Sequence, residues 1–363
     1  MRSRAMLLAG AVSLVVVLAG CASPFAGASP TVTKTSTPSP SETCWKSPLT
    51  GLCSLQTTPV LIVKIDDVSG ARPQRGLNSA DVILVEPVEG GLTRLMAVFQ
   101  SEDPVEVGPV RSARITDLDL APAFGKPGFA YSGSTTKLRS YLEAANIQKV
   151  GAPQGGTGYF RVDTHDAPHN LMARTADLRA RIDDVVAAQL NPNSSWAISE
   201  EPAGGLPTHQ LIMRWPASEK TFTWDPALAQ WLIRVYDTPL ESQRYGSAQL
   251  ERATTTTVFL METHLQDNPI KFKRGAITPY PETLGEGHGW VLTNGHRVEA
   301  TWKRPTEMDL PRWYQLNGKE ISVKPGRIWW LIQTEPDEHE FRNYPPATTQ
   351  KSAPSASASA TNS

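Results

Sequence analysis

Residues 85–100 read VEPVEGGLTRLMAVFQ and place two glutamates and an arginine beside a Gly-Gly pair, within otherwise apolar sequence. The flanking segments 80–88 and 92–100 are apolar and rich in β-branched residues, as buried strands are. Only three residues separate them, and Glu89-Gly90-Gly91 suits a tight connection. The stretch therefore predicts two adjacent core strands, with a hairpin pairing that returns Arg94 opposite one glutamate.

The same pattern continues through the first half of the chain. Residues 59–66 and 127–134 read as further strands. Residues 135–147 carry apolar side chains on one helical face, and Thr175 is a suitable N-cap for a helix that ends at Asn191-Pro192. The alternation predicts an α/β N-terminal domain over residues 44–200, with a mixed sheet and flanking helices.

The second half has a different composition, because nine of the ten tryptophans fall within residues 196–330. Asn294-Gly295 and Asn317-Gly318 each lie between strand-like segments, and Asn-Gly meets the positive φ requirement of a type I′ hairpin. The pattern predicts a smaller, strand-rich antiparallel α+β domain over residues 201–345. Tryptophans can stack on sugar rings, but more often they fill a small β core, and we favour the core interpretation for most of them.

The N-terminus reads as an export signal. Arg2 and Arg4 precede an apolar stretch, residues 5–18, that is short for a membrane span. The segment ends in LAGC, which resembles the lipobox of bacterial lipoproteins, where cleavage exposes a cysteine that carries the lipid. Residues 1–20 are therefore predicted to be a lipoprotein signal peptide and Cys21 the lipidation site, with an ordinary secretory signal as the alternative. The expected location is the bacterial cell membrane, facing away from the cytoplasm.

Two polar segments flank the predicted domains. Residues 21–43 and 346–363 are rich in Pro, Ser, Thr and Ala and are predicted to be a disordered tether and a disordered tail. Outside the cytoplasm, the remaining cysteines, Cys44 and Cys53, are expected to form a disulfide. No metal site is expected, because no further Cys or His lies close to them in sequence.

The overall charge is −1, and no run of Lys or Arg rises above the background. Nucleic-acid binding requires clustered positive charge, so this function class is disfavoured. No cofactor is expected either.

Several stretches together resemble the YerB-like lipoproteins, a bacterial envelope family defined by a domain of unknown function with N- and C-terminal parts. The quoted motifs are SPLTGL (47–52), residues 71–100, VGPVRSAR (107–114), APHNL (167–171), TWKR (301–304) and the later NGK and PGRIWWLI. The resemblance implies an extracytoplasmic, lipid-anchored, two-domain protein. It implies no established activity.

Candidate site residues lie around the opening stretch. Glu86 and Glu89 are the candidate acids, and they converge only if Pro87 bends the strand, since strand positions three apart point to opposite faces. Arg94 lies past the Gly-Gly connection. The glutamates and Arg94 either form a cross-strand ion pair of small energetic value or line a polar cleft.

Further candidates come from two later motifs and one turn. In GPVRSAR, Arg111 and Arg114 either hold a carboxylate or phosphate or pair with internal acids. The remaining candidate ligand-binding residues are Ser112, Ser134, His169 and Asn170. Ser134 opens a helix and usually would cap it, and Pro168 argues against a helical metal motif at His165 and His169.

Two functions are weighed from these residues. The first is a membrane-anchored module that binds a cell-wall glycan such as peptidoglycan, an anionic envelope polymer or an envelope protein partner. The second is a peptidoglycan- or glycan-cleaving enzyme that uses Glu86 or Glu89 as general acid. A glutamate in a cleft with a perturbed pKa favours the enzyme, whereas glutamates paired with arginines disfavour it.

Overall fold

The computed structural model describes residues 44–54, 59–184, 195–243, 249–270 and 278–344. The predicted signal peptide, lipidated cysteine, tether and tail lie outside these residues. Within them strands predominate, and helices are few and short. No helix of the described residues has the length and apolar character needed to span a membrane.

The first half contains eleven strands within the described residues. They are β1 (Trp45–Lys46), β2 (Cys53–Ser54), β3 (Leu61–Asp66), β4 (Gln74–Arg75), β5 (Val82–Pro87), β6 (Thr93–Phe99), β7 (Glu106–Val107), β8 (Gly128–Ala130), β9 (Gln148–Lys149), β10 (Tyr159–Arg161) and β11 (Leu171–Arg174). The α-helices are α1 (Ile115–Leu120), α2 (Arg139–Ala144) and α3 (Thr175–Arg179). Short 3₁₀ turns cover Ser69–Ala71, Leu77–Ser79, Glu89–Gly91, Ala121–Phe124, Thr136–Leu138 and Ala152–Gln154.

Within the described residues, the second half contains fourteen strands and no helix. They are β12 (Leu206–Pro207), β13 (Gln210–Trp215), β14 (Ser218–Asp225), β15 (Gln230–Val235), β16 (Thr238–Pro239), β17 (Glu241–Gln243), β18 (Leu250–Arg252), β19 (Thr254–Thr255), β20 (Thr257–Glu262), β21 (Gly285–Thr293), β22 (His296–Arg304), β23 (Arg312–Gln315), β24 (Ile328–Gln333) and β25 (Glu338–Arg342).

One central sheet joins the two halves of the chain. Its order is β12-β22-β21-β20-β24-β5-β6-β3-β8-β9, with β23 also paired to β22. The connection between halves is the parallel pairing of β24 with β5, which aligns Ile328 with Val82 and Leu331 with Val85. Both strands are mainly apolar, and all their residues except Gln333 are buried, as expected of parallel strands covered on both faces.

Most strands at the centre of this sheet run in the same direction. β20, β24 and β5 are mutually parallel, and β3 shares their direction because both β5 and β3 pair antiparallel with β6. β8 is parallel to β3. Their carboxyl ends therefore lie along one edge of the sheet, where ligand sites of α/β proteins commonly form.

Two hydrophobic cores cover the two faces of the central sheet. One contains α1 together with alternate strand residues such as Leu84 and Met96. The other packs the remaining face, including Val85 and Leu95, against a second sheet of order β16-β15-β14-β13-β25. We call these the α1 face and the sheet face.

Several sequence predictions are confirmed. The four predicted strands of the first half correspond to β3, β5, β6 and β8, and Cys44 and Cys53 form a disulfide with a Cα–Cα distance of 5.3 Å. β21 and β22 form a hairpin in which Asn294 and Gly295 both have positive φ. Eight of the ten tryptophans are buried, which supports the core interpretation for most of them.

The predicted helices are shorter in the structure than the sequence suggested. Residues 135–147 form a 3₁₀ turn followed by the six-residue α2, and the helix predicted from Thr175 is the five-residue α3. The end predicted at Asn191-Pro192 lies outside the described residues. The first half therefore contains more strand and loop residues, and fewer helical residues, than the predicted α/β fold with flanking helices.

A buried ion pair links the two sheets on the sheet face. The Lys220 ammonium on β14 contacts the carboxylate of Asp67, and both side chains have no exposed surface. Asp67 also accepts a hydrogen bond from Thr93 (2.5 Å) and lies 3.3 Å from Arg72. Burial lowers the pKa of Lys220, and the charge of Asp67 opposes that shift.

We expect Lys220→Met to reduce the free energy of unfolding by about 3 kcal/mol, because removing one member of a buried pair leaves a poorly compensated charge. Urea denaturation of the parent and variant proteins measures this. Lys303→Met is the control, since Lys303 pairs with Glu286 at the exposed surface, and it should be nearly neutral. Equal losses of unfolding free energy in Lys220→Met and Lys303→Met would contradict the role of the Lys220–Asp67 pair as a buried stabilising contact.

Candidate functional site

Three charged residues lie side by side where the central strands end. The register places Asp66 of β3 opposite Arg94 of β6, and Arg94 opposite Glu86 of β5. Residues directly opposite on adjacent strands point to the same face. The predicted return of Arg94 to a position opposite a glutamate is thus confirmed.

Glu86 does not pair with Arg94 but with a lysine in the same face of the sheet. Lys64 Nζ lies 2.8 Å from Glu86 Oε1 and 2.6 Å from Oδ1 of Asp117 on α1. All three residues are fully buried. Burial, and then the charge of Asp117, raise the pKa of Glu86 to about 8, although the charge of Lys64 opposes this.

Glu89 has a different environment from Glu86. It lies in the 3₁₀ turn between β5 and β6, and its Oε2 accepts hydrogen bonds from Nε (3.0 Å) and Nη2 (2.7 Å) of Arg114. Its Oε1 accepts a hydrogen bond from Thr278. Burial raises the pKa of Glu89, but the hydrogen bonds and charge of Arg114, with the bond from Thr278, bring it below its ordinary value. The two glutamates therefore do not share a site.

Asp66 contacts two further candidate residues, Arg111 and His169. Its Oδ2 lies 2.9 Å from Arg111 Nε and 2.6 Å from His169 Nδ1. The Asp66 side chain is 2% exposed, whereas those of Arg111 and His169 are 20% and 26% exposed. A buried carboxylate thus orients two partly exposed side chains from separate loops.

The arginines converge on one backbone carbonyl. Arg94 Nη1 donates to the oxygen of Ser112 at 3.0 Å, and Arg114 Nη1 donates to the same oxygen at 3.3 Å. Burial, and then the charges of Arg114 and Arg111, lower the pKa of Arg94 to about 10. Within the described residues, no carboxylate lies within 4.0 Å of the Arg94 guanidinium. We call Arg94, Arg111 and Arg114 the arginine cluster.

Of the other predicted site residues, Ser134 lies close in the chain to a segment that contacts the arginine cluster, whereas Asn170 has a different partner. The Ser132–Gly133 backbone hydrogen-bonds to the segment that carries Arg111, and Ser134 is exposed directly after it. Asn170 does not join the cluster, because its side chain accepts a hydrogen bond from Arg161.

A cavity of only about 10 Å³ opens beside Arg114, which is roughly the space of one water molecule. Arg111 and Arg114 are partly exposed above a buried ionic layer. A polar cleft at these residues stays a prediction.

Sequence reasoning missed Lys64, Asp66 and Asp117 as members of the site. A signal was present for the first two, because a lysine interrupts the apolar run of β3 and an aspartate ends it. A charged residue within a buried strand requires a partner. The sequence contains no signal that pairs Thr278 with Glu89.

Two family models match the chain. Residues 49–188 match the N-terminal domain, and residues 211–330 the C-terminal domain, of a family described as protein of unknown function (DUF3048). "Putative lipoprotein YerB" of Bacillus subtilis (strain 168) is 37% identical over 310 residues, which cover 80% of this chain and 86% of that protein. This chain belongs to the DUF3048 family. The resemblance to YerB-like lipoproteins is thereby confirmed.

A solved structure confirms the fold at the level of overall topology. The crystal structure of the YerB protein from Bacillus subtilis aligns with a TM-score of 0.67 and covers 82% of this chain and 99% of its own. Identity in this structural alignment is 20%. The match supports a strand-rich, two-part arrangement and carries no information about the charged site.

We expect Glu86→Gln to change how stability depends on pH. Because the pKa of Glu86 in the folded state, about 8, exceeds the ordinary value of 4.5, the folded protein holds this proton more tightly than the unfolded chain. Ionisation of Glu86 therefore progressively destabilises the parent protein as pH rises through that interval. The free energy of unfolding of the variant, relative to the parent, should rise between pH 5 and pH 8.

Denaturation curves recorded across this pH interval measure the effect. If the free energies of unfolding of the parent and of Glu86→Gln differ by the same amount at every pH, the pKa of Glu86 does not differ between the folded and unfolded protein, and the prediction is wrong. The same comparison in an Asp117→Asn background should give a smaller rise, because one cause of the raised pKa of Glu86 is removed.

Proposed function

We propose that this protein is a lipid-anchored, extracytoplasmic binding module that holds an anionic envelope polymer on its arginine cluster. The observation that carries the proposal is the convergence of Arg94 and Arg114 on the Ser112 carbonyl, with Arg111 beside them. Three guanidinium groups face two carboxylates, those of Asp66 and Glu89, so the cluster has an excess of positive charge.

Anchoring rests on the N-terminal sequence and on the relative. The LAGC motif supplies Cys21 as a lipid attachment site, and residues 21–43 would separate the lipid from the folded part. The family relative is named a lipoprotein. An anchored module of this kind would present its charged surface to the envelope rather than to the cytoplasm.

Guanidinium groups suit this ligand because their planar N–H groups match phosphate and carboxylate oxygens. Arg111 is the best-placed contact, since its side chain is partly exposed and lies beside Asp66, with Nε 2.9 Å from the carboxylate. His169 and the exposed Ser134 would flank it. Arg111 and His169 are partly exposed and Ser134 is exposed, so a polymer with repeated anionic groups can contact more than one of them.

The geometry favours binding over cleavage of glycan. Glu86 has the raised pKa of a general acid, but its side chain is 1% exposed and surrounded by Lys64 and Asp117. Glu89 is accessible, but its pairing with Arg114 lowers its pKa and favours the ionised form. Neither glutamate therefore combines access with a transferable proton.

Cleavage can be tested directly with the same candidates. We expect no release of fragments, measured by mass spectrometry, when the purified full-length protein is incubated with peptidoglycan. Release that disappears in Glu86→Gln or Glu89→Gln would overturn the binding proposal in favour of the enzyme.

We expect Arg111→Gln to weaken co-sedimentation with intact cell walls by about tenfold or more, because a charge-assisted hydrogen bond contributes about 1.5–3 kcal/mol. Walls from which phosphate polymers have been removed should bind the parent protein weakly. Arg139→Gln is the matched control, since it removes the same charge from an exposed position on α2.

Each outcome of the wall experiment has a defined meaning. Equal loss for Arg111→Gln and Arg139→Gln would show that only total charge matters and would contradict a specific arginine site. Undiminished binding to walls without phosphate polymers would assign the anionic group to peptidoglycan carboxylates instead.

A further inference from the structure

A polar cavity of about 400 Å³ opens at the carboxyl ends of the parallel strands β20 and β24. It shares no lining residue with the arginine cluster. The carboxylates that line it are those of Glu262, Glu282, Glu286, Glu335 and Asp337. Among the lining residues, the side chains that can carry a positive charge are those of His264 and His288. The volume lies within the range typical of small-ligand sites.

Asp337 is a buried carboxylate without a cationic partner in this lining. The residue is 8% exposed, and its Oδ2 accepts hydrogen bonds from the backbone N–H (2.9 Å) and hydroxyl (3.1 Å) of Thr334. Within the described part of the chain, no hydrogen bond or ion pair reaches Oδ1. Burial raises the pKa of Asp337 to about 6, against the hydrogen bonds from Thr334. An ammonium group in the cavity would satisfy this oxygen.

Two further carboxylates increase the negative charge. Neither Glu282 nor Glu335 has a Lys, Arg or His nitrogen within 4.0 Å among the described residues. Glu262 differs, because it accepts hydrogen bonds from His288 and Trp290 and forms the wall of the cavity. Within the described part of the chain, the cavity thus combines two carboxylates that have a Lys or His partner, Glu262 and Glu286, with three that have none, Glu282, Glu335 and Asp337.

An indole ring forms an apolar part of the lining. Trp302 lines the cavity, and its Nε1 donates to the Glu262 carbonyl at 3.0 Å, which fixes the ring. A Cβ at Gly287, which also lines the cavity, would lie 2.6 Å from Trp302 Cζ2. Glycine at this position therefore lets the backbone pack against the ring edge, and Trp302 is only 2% exposed. The apolar lining residue that is open to the cavity is Leu284, which is 41% exposed and suits an alkyl chain that ends in a cation.

We propose that this cavity binds a primary ammonium group on a short carbon chain, such as the side-chain amine of a lysine or another diamino acid in a peptide. An ammonium group offers three hydrogen-bond donors, which match several carboxylate oxygens at once. The carbon chain would lie against Leu284. A metal ion is a poorer fit, because no group of three or more His, Cys, Asp or Glu among the described residues is arranged to hold one.

Calorimetric titration of the purified full-length protein with 1,5-diaminopentane tests the proposal, with 1-pentanol as the neutral comparison. We expect measurable binding of the diamine and none of the alcohol. Asp337→Asn should weaken the diamine affinity by about tenfold or more, as expected for a lost charge-assisted contact. The asparagine oxygen can still accept the hydrogen bonds from Thr334, so the turn is retained.

A matched control exists in the same half of the chain. Asp309 accepts hydrogen bonds from the backbone N–H (3.2 Å) and hydroxyl (2.6 Å) of Thr306 in the same pattern, but it does not line the cavity. Asp309→Asn should therefore leave the diamine affinity unchanged. Melting temperatures of both variants show whether either substitution disturbs folding.

A second variant decides the question if Asp337→Asn fails to fold. Glu282 and Glu335 are exposed at the cavity rim, so Glu282→Gln combined with Glu335→Gln should fold and bind the diamine several-fold more weakly. Equal binding of diamine and alcohol, no diamine binding at millimolar concentration, or unchanged affinity in a folded cavity variant would overturn the proposal. None of these results depends on the arginine cluster.

Discussion

The parallel pairing of β24 with β5 is the contact on which the rest of the structure depends. It inserts a strand from near the end of the described chain between β20 and the first-half strands. Parallel strands require long connections, and here the connection includes nearly all of the second half. The two family domains are therefore consecutive in sequence but share hydrogen bonds and both hydrophobic cores. Neither half would complete its core alone.

Shared strand direction also explains where the charges collect. β3, β5, β20 and β24 end at one edge of the sheet. β3, β20 and β24 end in Asp66, Glu262 and Gln333, and Glu86 is the next-to-last residue of β5. On the α1 face, Lys64 holds Asp117, and Asp117 Oδ2 accepts the backbone N–H of Arg114 at 2.6 Å. The buried ionic layer thus fixes the start of α1 and, through it, one member of the arginine cluster.

The sequence predicts local pairings well and distant ones poorly. The hairpin around Glu89 and the turn at Asn294-Gly295 follow from short-range chemistry, so β5, β6, β21 and β22 could be placed without a structure. The insertion of β24 beside β5 depends on the burial of two apolar strands far apart in sequence, which no local pattern encodes. The helices were overestimated because an amphipathic pattern over 135–147 does not require that every residue be helical.

A perturbed pKa has opposite functional meanings at two positions of this molecule. Glu86 has a raised pKa because it is buried and lies near the charge of Asp117, and this burial removes the access that proton transfer to a substrate requires. Asp337 also has a raised pKa through burial, yet it borders a cavity of about 400 Å³. Desolvation therefore raises the pKa both within an enclosed ionic layer and at a carboxylate that borders a cavity. Access to a ligand, rather than the size of the shift, separates the two roles.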